Sequence, residues 1–266
     1  ASIKASVLSE VERYLEIEDF VGAESANWSR PQGSPYRVDE FADAELAATR
    51  LRAAWSLGSD PIPDLTEFLE ERGIKVIPLK LGERVSGLMC VARRSEGADV
   101  PIVIVNQEDT GERQRFTLAH ELAHHVLQAP EGAKGEKLAH RFASAFLMPA
   151  EIFWREVGKH REQISLGELL ELKALFKTSI QAITYRLKDL QIISEPLFKK
   201  LFDHFEEQGW RKPPYPEPGA IPPERPERFR RLCFRAVAEG AVSESKAAEL
   251  LGVSVRQLDR MLDQPV

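Results

Sequence analysis

The sequence predicts an α+β protein that is predominantly helical and contains a small β-sheet. Apolar residues recur at three- and four-residue steps along most of the chain, which is typical of helices. Only the stretch between residues 74 and 106 has short runs typical of strands, at residues 74–79, 85–92 and 101–106. The chain has 266 residues, 43% of them hydrophobic, and is long enough to bury one large core or two small ones.

Three helices are predicted before the first strand. The N-terminal segment, residues 1–58, has helical periodicity over residues 1–20 and again over residues 40–57. Asp64 is placed to cap a third helix, which would end before Gly73.

The most informative motif follows the third strand. His120-Glu121-Leu122-Ala123-His124 has the His-Glu-x-x-His spacing of a helical zinc site. Residues four apart lie on the same face of a helix, so both imidazoles can converge on one ion, with Glu121 beside it as a candidate catalytic base. Surface histidines on an ordinary helix are the alternative interpretation. The motif favours zinc-dependent hydrolysis of peptide bonds.

A third metal ligand is predicted on the next helix, over residues 135–149. Glu136 and His140 lie four residues apart and so point to the same side. Catalytic zinc has three protein ligands and a water, so we predict Glu136 as the third ligand and His140 as an outer partner that orients an imidazole. The alternatives are His140 as the ligand in its place, and Glu136 as a solvated carboxylate in a first helical turn.

These two segments together resemble a known family. Arg-Phe-Thr-Leu-Ala-His-Glu-Leu-Ala-His at residues 115–124 and Glu-x-x-Ala-x-x-Phe-Ala-x-x-Phe-Leu-Met-Pro at residues 136–149 resemble the signature of ImmA/IrrE zinc metallopeptidases. The resemblance covers roughly residues 60–195 and implies a zincin-like, more narrowly gluzincin-like, core, for which we predict a domain over residues 59–210. It also implies that His120, His124 and Glu136 bind zinc and that Glu121 is the catalytic carboxylate. The chain departs from the family at His140, where Asn is usual.

In a zinc site of this kind, Glu121 is expected to transfer a proton from water to the leaving group. Zinc lowers the pKa of a bound water to about 7, and Glu121 would take the water proton and pass it to the leaving amine. A further donor to the developing negative charge is expected. Tyr185 and His125 are candidates, although an aromatic residue of an amphipathic helix is more often part of the core, and His125 points about 100° away from its neighbour His124. Nitrogen and oxygen ligands also accept other divalent ions, such as manganese.

The predicted sheet offers a binding mode for an extended substrate. An unpaired edge near residues 85–92 would align a peptide by strand addition. The alternative is that the N-terminal helices cover this edge.

Two further segments follow the metallopeptidase-like region. Residues 211–226 are rich in Pro and are predicted as a semi-rigid linker. Residues 227–266 are predicted as a small helical domain shaped like a helix-turn-helix, in which Arg256, Gln257 and Arg260 would contact DNA bases or phosphates. Eight basic residues nearly balance seven acidic ones between residues 219 and 266, so protein docking or packing is the alternative role.

Charge and hydropathy exclude some classes of protein. The net charge of −6 argues against nonspecific binding of nucleic acid by the whole chain. No apolar run reaches the roughly 18 residues of a membrane helix, and the N-terminus has no signal-peptide pattern. A cytoplasmic protein without membrane contact is therefore predicted, with Cys90 and Cys233 reduced.

Two functions are consistent with these predictions. The first is a zinc-dependent endopeptidase that, by the family resemblance, cleaves a DNA-binding repressor or antitoxin and so controls transcription under stress. The alternative is a DNA-binding regulator or antitoxin-like protein whose zincin-like domain senses or docks without turnover. DNA would be contacted through the C-terminal domain or through an upstream domain absent from this chain.

Overall fold

The computed structural model describes residues 3–23, 28–82, 85–93 and 99–263. It confirms an α+β architecture in which helices predominate. In chain order the elements are α1 (Ile3–Phe20), β1 (Tyr36–Arg37), α2 (Phe41–Ala54), α3 (Leu65–Glu70), β2 (Lys75–Leu79), β3 (Gly87–Ala92), β4 (Val100–Asn106), α4 (Gly111–Val126), β5 (Leu127–Gln128), α5 (Ala133–Leu147), α6 (Ala150–Val157), α7 (Leu166–Phe176), α8 (Ile180–Asp189), α9 (Glu195–Glu207), α10 (Arg228–Ala238), α11 (Glu244–Leu251) and α12 (Val255–Leu262). Residues 1–2 and 264–266, at the outer ends of the predicted N- and C-terminal segments, lie outside the described residues.

The main sheet contains the three predicted strands, in the order β2-β4-β3. β2 runs parallel to β4, and β3 runs antiparallel to β4. Every residue of β4 is buried, as expected for a central strand covered on both faces. A second, two-stranded sheet pairs β1 with β5, with Tyr36 opposite Leu127. Its two-residue strands were not predicted.

The helices pack on both faces of the main sheet. On one face, Val7 and Val11 of α1 form a cluster with Ile77, Ile102 and Ile104. The opposite face contributes to the large core, which also contains the buried sides of α2 and of α4 through α9. α1 therefore covers a face of the sheet and not the outer edge of β3.

The N-terminal helix also contacts the C-terminal helices. Tyr14, Ile17 and Val21 of α1 form a buried cluster with residues of α10 and α11, among them Leu232 and Cys233. α11 and α12 are joined by a turn in which Gly252 adopts the left-handed conformation, with φ of 65°, a region that glycine enters without strain. The three C-terminal helices lie where the sequence predicts them, and α1 is their neighbour.

Residues 211–226, predicted as a Pro-rich linker, contain no helix or strand. Part of this segment, residues 215–224, lies against the main domain, and we call it the strap. Glu217 of the strap is buried, and its carboxylate accepts a hydrogen bond of 2.9 Å from the backbone amide of Ile180. It therefore supplies an acceptor to the first turn of α8, where a helix has unpaired amides and favours negative charge.

A second strap carboxylate does the same for α3. Glu224 accepts hydrogen bonds from the backbone amides of Leu65 and Thr66, each of 2.9 Å. Asp64 accepts from the amide of Glu67 at 2.8 Å, as the predicted cap should. The strap thus joins two helices that are far apart in the chain.

Among the described residues, none of the helices combines the length and the apolar character needed to cross a lipid bilayer.

Candidate metal centre

The His-Glu-x-x-His motif lies in the second half of α4. One side of this helix, including Leu118, Leu122 and Val126, is buried in the large core. The core is shared with α5, whose Phe142 and Phe146 are fully buried. This packing fixes α4 and α5 side by side, so the polar residues on their adjoining exposed surfaces meet.

Three side chains from these two helices form a compact group. The Nε2 atoms of His120 and His124 are 3.1 Å apart, and the Glu136 carboxylate lies 3.2 Å from the first and 3.5 Å from the second. Ligands at about 2.0 to 2.2 Å from zinc lie about 3.3 Å from one another in a tetrahedral site. The spacing and the nitrogen and oxygen donors therefore fit a zinc ion, and all three potential ligand atoms lie within 4.8 Å of one another.

The electrostatics of the site favour a neutral imidazole at His120. Burial lowers the pKa of His120 to about 4, with further lowering by His140 and His124, whereas Glu136 opposes the shift. Burial also lowers the pKa of His140. Deprotonated imidazole nitrogens are the form that binds a metal. Near neutral pH, His120 is therefore in the protonation state that coordination needs.

Glu121 lies between this group and the edge strand β3. Burial raises the pKa of its carboxyl group, and Glu136 acts in the same direction, whereas His124 and a hydrogen bond from the Met89 backbone lower it. A raised carboxyl pKa is typical of groups that exchange protons in a reaction. The carboxylate is oriented by the strand as well as by its own helix.

Gly87 allows β3 to approach α4 closely. A Cβ atom at this position would lie 2.4 Å from Cγ2 of Thr117 and 2.7 Å from the carbonyl oxygen of Ile104. Any larger side chain would push the strand away from the helix. The glycine therefore helps to bring the edge of β3 next to Glu121.

The outer edge of β3 is available for pairing. The amide of Asn106 donates to the carbonyl of Ser86 at 2.7 Å, and antiparallel pairing alternates along the strand. The backbone groups of Gly87, Met89 and Val91 therefore face away from β4. Among the described residues no strand pairs with this side. The edge borders the candidate metal centre.

His120, Glu121 and Glu136 line a cleft of about 1110 Å³. One wall includes Ser86 and Gly87 near the first turns of α4, and Tyr215 of the strap. Residues of α5 and α8, including Tyr185, also line the cleft. Tyr185 is half exposed and its ring contacts Phe198 and Phe202, so it stands at the surface of the cleft and outside the core.

Buried charges hold the first half of α4. Lys173 of α7 lies between two carboxylates, 2.7 Å from Glu112 and 3.1 Å from Glu217 of the strap. Arg115 is buried and forms an ion pair with Glu224 of the strap. Each of these charges has a partner of opposite sign, which offsets the cost of removing it from water.

Gly111 at the start of α4 allows the strap to approach the helix backbone. Its amide donates to the carbonyl of Ile221 at 3.2 Å. A Cβ atom here would lie 2.4 Å from the carbonyl oxygens of both Ile221 and Pro222. The strap therefore touches the helix backbone just before the motif.

The other predicted site residues lie in two places. The His140 ring is 4.4 Å from the His120 ring between centroids and packs on Phe116, outside the group of three ligand atoms. Nδ1 of His120 is buried without a hydrogen-bond partner among the described residues. Arg256, Gln257 and Arg260 lie on α12 and are exposed.

The strap and the contact with Met89 were not predicted from the sequence. A Pro-rich composition indicates only that a segment is not helical. The capping role of Gln257, by contrast, had a signal. Ser254 and Gln257 have capping-box spacing, and Oε1 of Gln257 accepts from the amide and hydroxyl of Ser254 at 2.9 and 2.8 Å.

Comparison with known families agrees with this geometry. Residues 69–188 match the family Peptidase M78, described as an IrrE N-terminal-like domain. The match spans β2 to α8 and includes His120, Glu121, His124 and Glu136. No curated protein matches the chain. The resemblance to ImmA/IrrE proteins is confirmed over residues 69–188, and this segment is similar to an IrrE N-terminal-like, metallopeptidase-like domain.

Proposed function

We propose that the protein is a zinc-dependent endopeptidase with a zincin-like core. The observation that supports this most strongly is the group of His120, His124 and Glu136, whose ligand atoms lie within 4.8 Å of one another beside Glu121. His120, Glu121 and Glu136 line a cleft of about 1110 Å³, which is bordered by Ser86 and Gly87 next to the edge of β3 that no described strand pairs with.

His120, His124 and Glu136 would hold the ion, for which the spacing and donor set are suited. Zinc bound there would lower the pKa of a water molecule and polarise the carbonyl of the bond to be cleaved. Manganese is the other divalent ion that this donor set accepts. His140 packs on the His120 ring, so it would restrict the orientation of that imidazole.

Glu121 is the proposed general base. Its carboxylate would accept the proton of the attacking water and deliver it to the leaving nitrogen. The hydrogen bond from the Met89 backbone would keep the carboxylate in place between the two steps. The hydroxyl of Tyr185, which lines the same cleft, would donate to the oxygen that gains negative charge.

The proposed substrate is a protein segment in extended conformation. The outward-facing backbone groups of Gly87 and Val91 and the carbonyl of Met89 would pair with it as an added strand, while the Met89 amide donates to Glu121. By the family resemblance, the substrate would be a DNA-binding repressor or antitoxin, and its cleavage would change transcription under stress. The protein would act in the cytoplasm.

The test is cleavage of a repressor encoded near the gene for this protein. The zinc-loaded protein and its Glu121→Gln variant are incubated with the repressor, and products are identified by mass spectrometry. Cleavage by the parent protein, and a loss of at least about a hundredfold in the variant, are expected. Equal zinc content in both proteins is the control. A variant that cleaves as fast as the parent would remove Glu121 from the mechanism.

DNA binding without turnover is the second candidate. It is supported by two consecutive helices, α11 and α12, joined by a turn at Gly252, which would act as a helix-turn-helix, and by the exposed Arg256 and Arg260 on α12. Substituting both arginines by Ala should weaken DNA binding in a gel-shift assay. Unchanged affinity would dismiss α12 as a recognition helix.

A further inference from the structure

Arg113 is a cationic side chain of the cleft that the proposed catalytic mechanism does not use. It lies on α4 seven residues before His120, and both residues line the cleft. Its side chain is 37% exposed. Residues separated by seven positions lie on nearly the same face of a helix, so Arg113 and the motif face the same space.

The guanidinium group is held in one orientation by its neighbours. Nε and Nη2 both donate to the hydroxyl of Ser86, at 3.0 and 2.7 Å. The Asp109 carboxylate lies 3.1 Å from Nε. The Tyr215 ring of the strap lies against the group, 4.8 Å from its central carbon. These contacts occupy the Nε side and one face of the guanidinium.

The end of the guanidinium that carries Nη1 has no partner among the described residues. The nearby carboxylates of Glu112 and Glu217 do not compete for it, because both are paired with Lys173. Two parallel N–H groups at the Nη1 and Nη2 end match the two oxygens of a carboxylate. The site therefore suits a carboxylate that enters from the cleft.

The distance between Arg113 and Glu121 along α4 indicates how many residues would separate this carboxylate from the cleaved bond. The eight residues from Arg113 to Glu121 correspond to a rise of about 12 Å. An extended peptide covers about 3.3 Å per residue. An acidic side chain three or four residues from the cleaved bond would therefore reach Arg113.

The orientation of β3 indicates on which side of the cleaved bond the acidic residue would lie. Ser86 contacts Arg113, and Met89, further along the strand, contacts Glu121, so β3 and α4 run the same way past the cleft. Antiparallel pairing is the commoner arrangement of strands. A substrate antiparallel to β3 has its C-terminal side toward Arg113.

We propose that Arg113, held by Ser86 and Tyr215, is a specificity-determining residue that binds an acidic side chain three or four residues C-terminal to the cleaved bond. This proposal rests on the proposed peptidase function. It names the substrate class as extended segments with an acidic residue at that distance. Arg113 takes no part in bond cleavage.

Two experiments test it, and only the first depends on turnover. A random peptide library is digested with the zinc-loaded protein, with Arg113→Gln, and with Arg155→Gln as a matched control on an exposed arginine of α6. Cleaved sequences from the parent protein and the control should be enriched in Asp or Glu at the third or fourth position after the cut. The enrichment should disappear in Arg113→Gln. For paired peptides with Glu or Gln there, the parent's ratio of kcat/KM should be about tenfold.

In the second experiment, the same library is selected for binding to immobilised Glu121→Gln protein and to the Glu121→Gln, Arg113→Gln double variant. Acidic residues should be enriched only by the first protein. Tyr215→Leu provides a further variant, and far-UV circular dichroism checks that each protein is folded. A parent protein that cleaves nothing but still selects acidic peptides contradicts the peptidase function and leaves the acidic subsite standing. No acidic enrichment in either experiment, or enrichment N-terminal to the cut, would overturn the role of Arg113.

Discussion

The buried titratable side chains in the two halves of α4 are partnered differently. In the first half, Glu112 and Arg115 are buried, and each has an oppositely charged partner on another element. In the second half, Nδ1 of His120 is buried without a hydrogen-bond partner among the described residues, and the His124 side chain is 40% exposed. The first half anchors the helix, and the second half keeps ligand atoms available. A rigid first half permits an incompletely paired second half, as is typical of functional sites.

The largest effect on stability is expected from removing Lys173, the cation that pairs with Glu112 in the first half of α4 and with Glu217 of the strap. Lys173→Met would leave Glu112 and Glu217 buried without their cation. Breaking a buried ion pair costs about 3 to 5 kcal/mol, so the free energy of unfolding should fall by that amount in urea denaturation. Lys188→Met is the control, because Lys188 and Glu195 form a largely exposed pair worth at most about 1 kcal/mol. If Lys173→Met lowers the free energy of unfolding by less than Lys188→Met does, the buried group of Lys173, Glu112 and Glu217 does not stabilise the fold.

The buried pair of Glu70 and Tyr14 should make the stability of the protein depend on pH. Glu70 accepts a hydrogen bond from the Tyr14 hydroxyl at 2.9 Å, and burial raises the Glu70 pKa to about 7, above its ordinary value of 4.5. Because the folded state holds the proton more tightly, stability is highest below about pH 4.5 and falls as the pH rises through about 7. Glu70→Gln mimics the protonated form and has no such loss.

We therefore compare the free energy of unfolding of Glu70→Gln with that of the parent protein at each pH. The difference, variant minus parent, should increase by about 3 kcal/mol between about pH 4.5 and pH 8. Urea denaturation at both pH values measures the difference. Parallel pH profiles for the two proteins would contradict a raised Glu70 pKa.

Zinc should stabilise the second half of α4. At a free concentration of about a hundred times Kd, a ligand of the native state adds about 2.7 kcal/mol to the free energy of unfolding. His124→Ala should lose this gain. Without metal the substitution should change stability by no more than about 0.5 kcal/mol, because His124 is partly exposed. The measurement is thermal unfolding with zinc and with a chelator. Equal stabilisation of both proteins would place the ion elsewhere.

The smallest effect is expected at the contact between the strap and α4. Gly111→Ala would bring a methyl group to within 2.4 Å of two strap carbonyl oxygens. Overpacking of this kind costs about 1 to 3 kcal/mol. Gly167→Ala is the matched control in α7, where the nearest atom is 3.8 Å away, and it should stabilise the helix by about 0.5 to 1 kcal/mol. A loss in both variants would mean that strap packing is not the cause.

Local features of the fold could be predicted from the sequence. Asp64 does cap α3, and the three strands of the main sheet begin within two residues of their predicted positions. Short-range periodicity and capping chemistry carry this information. Spacing also predicted that Glu136 and His140 of α5 point to the same side, because residues four apart share a helix face.

Long-range contacts could not be predicted in the same way. Glu217 and Lys173 are separated by 44 residues, and Glu224 and Arg115 by 109. Their pairing depends on how α4, α7 and the strap pack together, which no local pattern encodes. The His140 ring illustrates the same limit within the site. Spacing places it beside Glu136, yet its packing against Phe116 depends on the approach of α4 to α5.

The strap also fixes where the chain can be divided and when folding can finish. A fragment ending at residue 210 would retain every candidate ligand, yet it would leave Lys173 with one carboxylate and Arg115 without Glu224. During synthesis, α3, α4 and α8 all emerge before the strap that joins them. The first turns of α4 therefore acquire their last partners only after residue 224 has left the ribosome.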